Sequence, residues 1–211
     1  MINETYMEAM MTLASDYDQM SQELFRLAHK LEDTPGYNPK NEMYSLVRTA
    51  EQATVGLRGL AARTEWEKAR ELYETAGDAM GIRVSEDPNW IKITVPAILP
   101  KRNARDNTLY LTRPLRACLL MFQAADPIER FERCVICIVH QYDEALGTRR
   151  VRDYDNIETK RFLDVIESVF LTNDSGLLCS VLQTTKMGDR DATDFYLMLP
   201  ESLLKWVEKY L

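Results

Sequence analysis

Asp153 and Asp155 stand with one residue between them, Asn156 follows, and Lys160, Asp164 and Asp174 come after across a helix-length interval. Carboxylates are hard oxygen ligands, and Mg2+ takes a few of them together with waters and phosphate oxygens. An ion held this way polarises a scissile phosphate and activates a water, while a nearby lysine offsets the charge that develops. Metal-assisted hydrolysis of a phosphodiester is therefore one use of the pattern. The same residues also serve plainer purposes. Asp155-Asn156-Ile157-Glu158 reads as a helix-capping box, and Asn173-Asp174-Ser175-Gly176 is good turn chemistry. Lys160 and Asp164, four residues apart, fit an ion pair on a helix surface.

The charge around the motif bears on the choice. The 211 residues carry a net charge of −7, which argues against a generic nucleic-acid binder. Its distribution is uneven. Residues 1–90 hold 9 Lys+Arg against 16 Asp+Glu, whereas residues 91–211 hold 17 of each. The neutral part contains the basic clusters: Lys101, Arg102 and Arg105, with Asn103 among them; Arg113 and Arg116; Arg149, Arg150 and Arg152; Lys160 and Arg161. Cations gathered around an aspartate motif point to a phosphate-contacting surface.

The elements that must position these residues follow from hydrophobic spacing. Tyr6, Met10, Leu13, Tyr17, Met20, Leu24, Leu27 and Leu31 alternate by four and three, a heptad seam. Thr34-Pro35-Gly36 breaks that helix. A second helix begins near Asn41, with Met43, Leu46, Val47, Ala50, Leu57 and Leu60 on one side. A third runs from Thr64 to Met80, burying Trp66, Ala69, Leu72, Tyr73 and Ala76, and Gly81 ends it. Residues 1–82 thus read as a helical hairpin or coiled-coil unit for dimerisation or for a helical protein partner through residues 6–31. Its acidity makes it a poor DNA-contacting surface.

Residues 83–211 read differently. Trp90–Pro96 alternates like a strand, Asp106–Thr112 reads as extended, and Pro114 opens a helix through Phe122. Phe131–Tyr142 is a buried strand, and Ile157–Phe170 an amphipathic helix with Phe162, Leu163, Ile166, Val169 and Phe170 on one face. Gly176–Thr185 and Asp194–Leu199 read as strands joined into a hairpin at Met187-Gly188-Asp189. Pro200 begins a last helix with Leu203, Leu204, Val207 and Tyr210 inward. The fold class is α+β with a mixed sheet.

Cys118, Cys134, Cys137 and Cys179 lie in apolar surroundings and read as reduced, buried thiols. Cys134 and Cys137 form a CxxC, but on a strand residues three apart point to opposite faces. The longest apolar runs are far shorter than the roughly 18 residues of a membrane span, and the N-terminus lacks the pattern of a secretory signal. A cytoplasmic protein without a membrane partner is the expectation.

The run Arg152-Asp153-Tyr154-Asp155-Asn156, an amphipathic helix and then Asn173-Asp174-Ser175 resembles the signature of RusA-type Holliday junction resolvases. Upstream, Ile91–Pro100, Lys101-Arg102-Asn103 and Leu109–Pro114 resemble that family's first strand, proline-containing loop and entry to its first helix. The similarity spans about residues 90–199. It implies a RusA-like mixed-sheet domain, three metal-binding aspartates at Asp153, Asp155 and Asp174, and Mg2+, with Mn2+ as the substitute. Asn156 matches the family asparagine. Lys160 stands one place later than the family lysine, a rotation of about 100° on a helix, and Asp164 is displaced by the same step. The resemblance implies a structure-selective endonuclease cutting branched DNA such as four-way junctions, working as a C2 homodimer. Asp153, Asp155, Asp174 and Lys160 would be its catalytic set. Lys101, Arg102, Asn103, Arg105, Arg149, Arg150, Arg152 and Asn156 would contact DNA. The alternative is a nucleic-acid-binding or assembly protein of a mobile element that keeps this fold without cutting.

Overall fold

The computed structural model describes residues 4–64, 69–102, 108–173 and 175–211. The chain divides into two compact units, Met1–Leu72 and Tyr73–Leu211. The first is built on two helices, α1 (Glu4–Asp33) and α2 (Lys40–Thr64). They are antiparallel: Tyr6 donates from its hydroxyl to the Leu60 carbonyl, and a Cβ on Gly56 would meet the Leu13 side chain at 3.0 Å. The turn between them contains Gly36 at φ +84°, where a residue without Cβ is unstrained.

Only part of the expected heptad seam is the buried one. Met20 and Leu27 are buried and Tyr6 and Leu13 half-buried, but Met10, Tyr17, Leu24 and Leu31 are exposed. Between the buried positions, α1 turns Ala9, Asp16 and Glu23 inward instead. On α2, Ala53 and Leu60 are buried, whereas Met43, Val47 and Leu57 are exposed. Trp66, expected to be buried by the third helix, lies outside the described residues.

The second unit is a five-stranded, mostly antiparallel sheet with helices on both faces, which after a helical first unit makes the chain α+β. The third helix, α3 (Ala69–Met80), leads into it and ends at Gly81, φ +80°. The strands are β1 (Arg83–Asp87), β2 (Trp90–Val95), β3 (Cys134–Asp143), β4 (Cys179–Gly188) and β5 (Ala192–Met198), in the order β1-β2-β5-β3-β4. Every neighbouring pair is antiparallel except β3 with β4. A parallel pair needs a crossover, and α5 (Lys160–Phe170) supplies it.

On one face, α4 (Leu109–Ala125) and α5 bury Leu111, Leu115, Leu119, Phe162 and Ile166 with Ile93, Ile136, Ile138 and Phe195 of the sheet. On the other, α6 (Leu203–Tyr210) places Trp206 among Trp90, Val135, Cys137, Val139, Tyr196 and Met198. Cys134 lies in the first core and Cys137 in the second, so the CxxC is split by the pleat as expected. All four cysteines are reduced and buried. Burial pushes the Cys134 thiol up to about 12 and the Cys137 thiol up to about 11, the inert end of thiol chemistry.

The structure corrects several elements. Leu109–Thr112, read as extended, is the first turn of α4, and Pro114 lies inside that helix. The strand after it begins at Cys134, with Phe131 forming only an isolated bridge to Leu171. β1 was not anticipated; it forms a hairpin with β2. β4 and β5 are not a hairpin pair, because β3 lies between them. In α6, Trp206 is the fully buried residue while Leu204 is exposed.

Candidate nucleic-acid interface

The Asp153–Asn156 segment is a tight turn in which Tyr154–Asn156 form one 3-10 turn. Asn156 donates its backbone N–H to the Asp153 carbonyl at 3.0 Å. Two side chains anchor it. Ile157 is buried in the core, and the Tyr154 ring lies 5.8 Å from the His140 ring while its hydroxyl accepts from Thr185 Oγ1 at 3.2 Å. Asp153 and Asp155, on either side of Tyr154, remain exposed. Asp155 is not the cap of α5. Thr159 precedes that helix, and Glu158 supplies a cap-like contact by accepting from the Arg161 N–H at 3.3 Å.

The basic segment Pro100-Lys101-Arg102 is laced to this turn. Lys101 bridges Ile157 in antiparallel register. Arg102 donates its N–H to the Asn156 carbonyl at 3.0 Å, and Glu158 donates to the Pro100 carbonyl at 2.9 Å. Lys101 and Arg102 are exposed, so two cations flank two carboxylates on one corner. Arg149 is exposed nearby in sequence.

Other expected contacts are committed elsewhere. Arg152 donates from Nη1 to the Leu99 carbonyl at 2.7 Å and from its backbone N–H to the Tyr142 hydroxyl at 3.2 Å, so it ties the two loops together. Arg150 pairs with Asp191 through both terminal nitrogens. Burial alone would raise the Asp191 carboxyl; hydrogen bonds from Arg150 and the Asp143 N–H, with the Arg150 charge, hold it below its usual range instead. Lys160 pairs with Asp164 at 2.8 Å.

Asp174, Asn103 and Arg105 lie outside the described residues. Asn173 Oδ1 accepts from the Ser175 N–H at 2.8 Å. Thr172 and Leu178 bond to Phe131 and Cys134 at the beginning of β3. The Tyr154 turn instead meets His140 and Thr185, toward the far ends of β3 and β4. The 11-residue α5 covers about 16 Å between these ends. Among the described residues, no group of three or more His, Cys, Asp or Glu is arranged to hold a metal. The described part of the expected ligand set is thus Asp153 and Asp155, and a largely hydrated Mg2+ is the ion that two carboxylates suit.

Two buried polar sites escaped the sequence reading. His140 meets Gln183 Oε1 at 3.1 Å through Nε2, and its Nδ1 is buried with no hydrogen-bond partner. Burial lowers its pKa, partly opposed by the Gln183 contact. On the opposite face of the sheet, Asp194 accepts from Thr94 Oγ1 at 2.6 Å and pairs with Lys92 at 3.1 Å. An acid inside the apolar run of β5 was the available signal for it.

A family model described as "Family of unknown function (DUF6100)" matches residues 3–210. Nothing among the curated proteins matches the chain. Among solved structures, the periplasmic domain of Helicobacter pylori MotB is similar at 11% identity over 61% of this chain and 86% of that chain, with a TM-score of 0.34. A likeness that low carries no argument about function. Among the described residues no helix is long and apolar enough to cross a membrane.

Proposed function

We propose that this chain, which belongs to the DUF6100 family, binds the phosphate backbone of nucleic acid, with branched DNA as the class of ligand. The observation that carries the reading is the lacing of Lys101 and Arg102 to the Asp153–Asn156 turn through main-chain hydrogen bonds. Side chains on a fixed corner lose less freedom on binding than side chains on a free loop. Lys101, Arg102 and Arg149 would contact phosphates, with Asn103 and Arg105 added by the sequence pattern. Arg150 and Arg152 are engaged within the fold and would act by positioning the loops. Asp153 and Asp155 repel phosphate unless a cation offsets them, so Mg2+ should strengthen binding. The RusA-like order of motifs supports DNA as the ligand.

A second reading adds cleavage, and the exposure of Asp153 and Asp155 beside two cations favours it. These two carboxylates would hold Mg2+ or Mn2+ with waters completing the shell; Asp174, the third ligand implied by the resemblance, is flanked by residues at the opposite end of α5 and is not counted in the set. Such an ion polarises a phosphate and activates water. Lys160 would have to leave Asp164 before it could stabilise charge on the phosphate. A homodimer would present two such corners for paired cuts.

Labelled four-way junction and linear duplex, titrated with wild type in Mg2+ and in EDTA, test both readings. Replacing Lys101 and Arg102 together by Ala should weaken binding uniformly and reduce the salt slope by roughly two. No binding to either DNA at low salt would falsify both readings. Binding without cutting selects the first. Mg2+-dependent cutting abolished by Asp155→Asn selects the second.

A further inference from the structure

The α1–α2 hairpin carries an apolar face that its own packing leaves open, and we infer that a second copy of this chain covers it. The inference is independent of the nucleic-acid reading. Eleven large apolar side chains of α1 and α2 are 40–68% exposed. They are not scattered. On α1 the inward positions include Ala9, Asp16 and Glu23, and the exposed Met10, Tyr17 and Leu24 each follow one of these by a single residue. On α2 the inward Leu46 and Gly56 are followed in the same way by the exposed Val47 and Leu57.

One residue is about 100° around a helix, so each exposed stripe flanks the seam on a fixed side. Because the two helices run antiparallel, that offset rotates in opposite senses seen from one end. Both stripes therefore lie on the same side of the hairpin. The other flank is polar, with Thr12, Gln19 and Arg26 on α1 and Ser45, Arg48 and Gln52 on α2.

The size and the spacing identify the occupant. Met11, Phe25 and Tyr44 lie behind the hairpin; the other eight, at roughly 200 Å2 each and about half exposed, give on the order of 800 Å2 on this face. An isolated monomer seldom shows a patch above ~600 Å2, while a stable interface covers ~800 Å2 on each partner. Stripes spaced by four and three are what one helix presents to another. The face is about seven turns long on α1 and carries two parallel stripes, which fits two helices arriving together. A second hairpin has that length and that pair of stripes. Face-to-face packing about a two-fold axis closes a four-helix bundle and leaves the polar flanks in water.

The test is sedimentation equilibrium of the full chain. Wild type should be a dimer at micromolar concentration. Leu24→Glu combined with Leu57→Glu should weaken the dimer by about 100-fold or more, because each charge would be buried in the interface. Gln19→Glu, on the polar flank, should leave it unchanged. Because the substituted side chains are exposed in one copy, circular dichroism should show undiminished helix in all variants. Leu24→Gln with Leu57→Gln should shift the equilibrium in the same direction by less. A monomeric wild type overturns the proposal. So does a dimer that survives the double substitution, or one disrupted equally by Gln19→Glu.

Discussion

On β3 every other residue from Cys134 to Ile138 is buried against α4 and α5, and the residues between are buried on the side of α6. On α1 the apolar residues also alternate regularly, yet Met20 and Leu27 are buried while Leu24 and Leu31 are half exposed. The two regions share a regular apolar pattern and differ in closure. A strand in the middle of a sheet has two faces, and this unit supplies helices for both. A helix in a two-helix hairpin has one partner, which covers one stripe of a face wide enough for two. Apolar periodicity therefore measures how many neighbours an element is built for, not how many it has within one chain.

The sharpest way to break that comparison is truncation on each side of it. Phe195→Ala removes a fully buried ring from the sheet core and should cost about 3–5 kcal/mol. Leu24→Ala, at concentrations where the chain is monomeric, should change stability by less than about 0.5 kcal/mol. Denaturant unfolding followed by circular dichroism measures both. Equal losses would mean that the hairpin face is already covered within the monomer.

A smaller effect tests how tightly the sheet unit is closed. A Cβ on Gly77 would lie 2.2 Å from Cys118 Sγ and 3.3 Å from the Pro114 carbonyl oxygen. Gly77→Ala should therefore destabilise by about 1–3 kcal/mol despite the better helix propensity of Ala. Adding Cys118→Ala should recover part of the loss, a coupling that a double-mutant cycle reads directly.

Burial of His140 adds a pH signature to the same region. Its folded-state pKa is depressed below the ordinary 6.5 because burial disfavours the charged ring. Below 6.5 the unfolded chain takes up a proton that the folded chain resists, so the contribution of His140 to stability falls as pH falls from 7 toward 5. His140→Gln should flatten that slope. Asp191, also depressed, acts in the same direction but only as pH falls below its ordinary 3.8, which separates the two. A slope unchanged by His140→Gln would place the titration elsewhere.

How much of this was legible in the sequence depends on whether local pattern and tertiary demand agreed. They agreed for β2, for the buried face of α5 and for the splitting of Cys134 from Cys137. They disagreed for β4 and β5. Met187-Gly188-Asp189 looks like a hairpin turn, but the continuous apolar run of β3 asks for a partner on each side, and β4 and β5 take one each. β1, Arg83–Asp87, reads as polar chain because it is an edge strand with little burial. Trp206 went unremarked because its pocket is completed by Trp90 and Val135, far away in sequence. The candidate corner was half legible. Basic and acidic clusters mark it, but only the main-chain pairing of Pro100–Arg102 with Asn156–Glu158 says that they meet.

The smallest expected effect separates two meanings of Lys160. Its ion pair with Asp164 joins an exposed lysine to a carboxylate one turn away, and such pairs contribute about 0.3–0.5 kcal/mol. Lys160→Ala should thus lower stability by no more than that, with the loss vanishing as salt screens the pair. If Lys160 serves only this pair, junction binding and any Mg2+-dependent cutting will be unaltered by the substitution. If it can turn from Asp164 toward a bound phosphate, cutting will slow while stability hardly moves, and Asp164→Asn, which removes that ion pair, will not slow cutting in the same way. Measuring cleavage and unfolding on the same two variants distinguishes a surface ion pair from a lysine held in reserve.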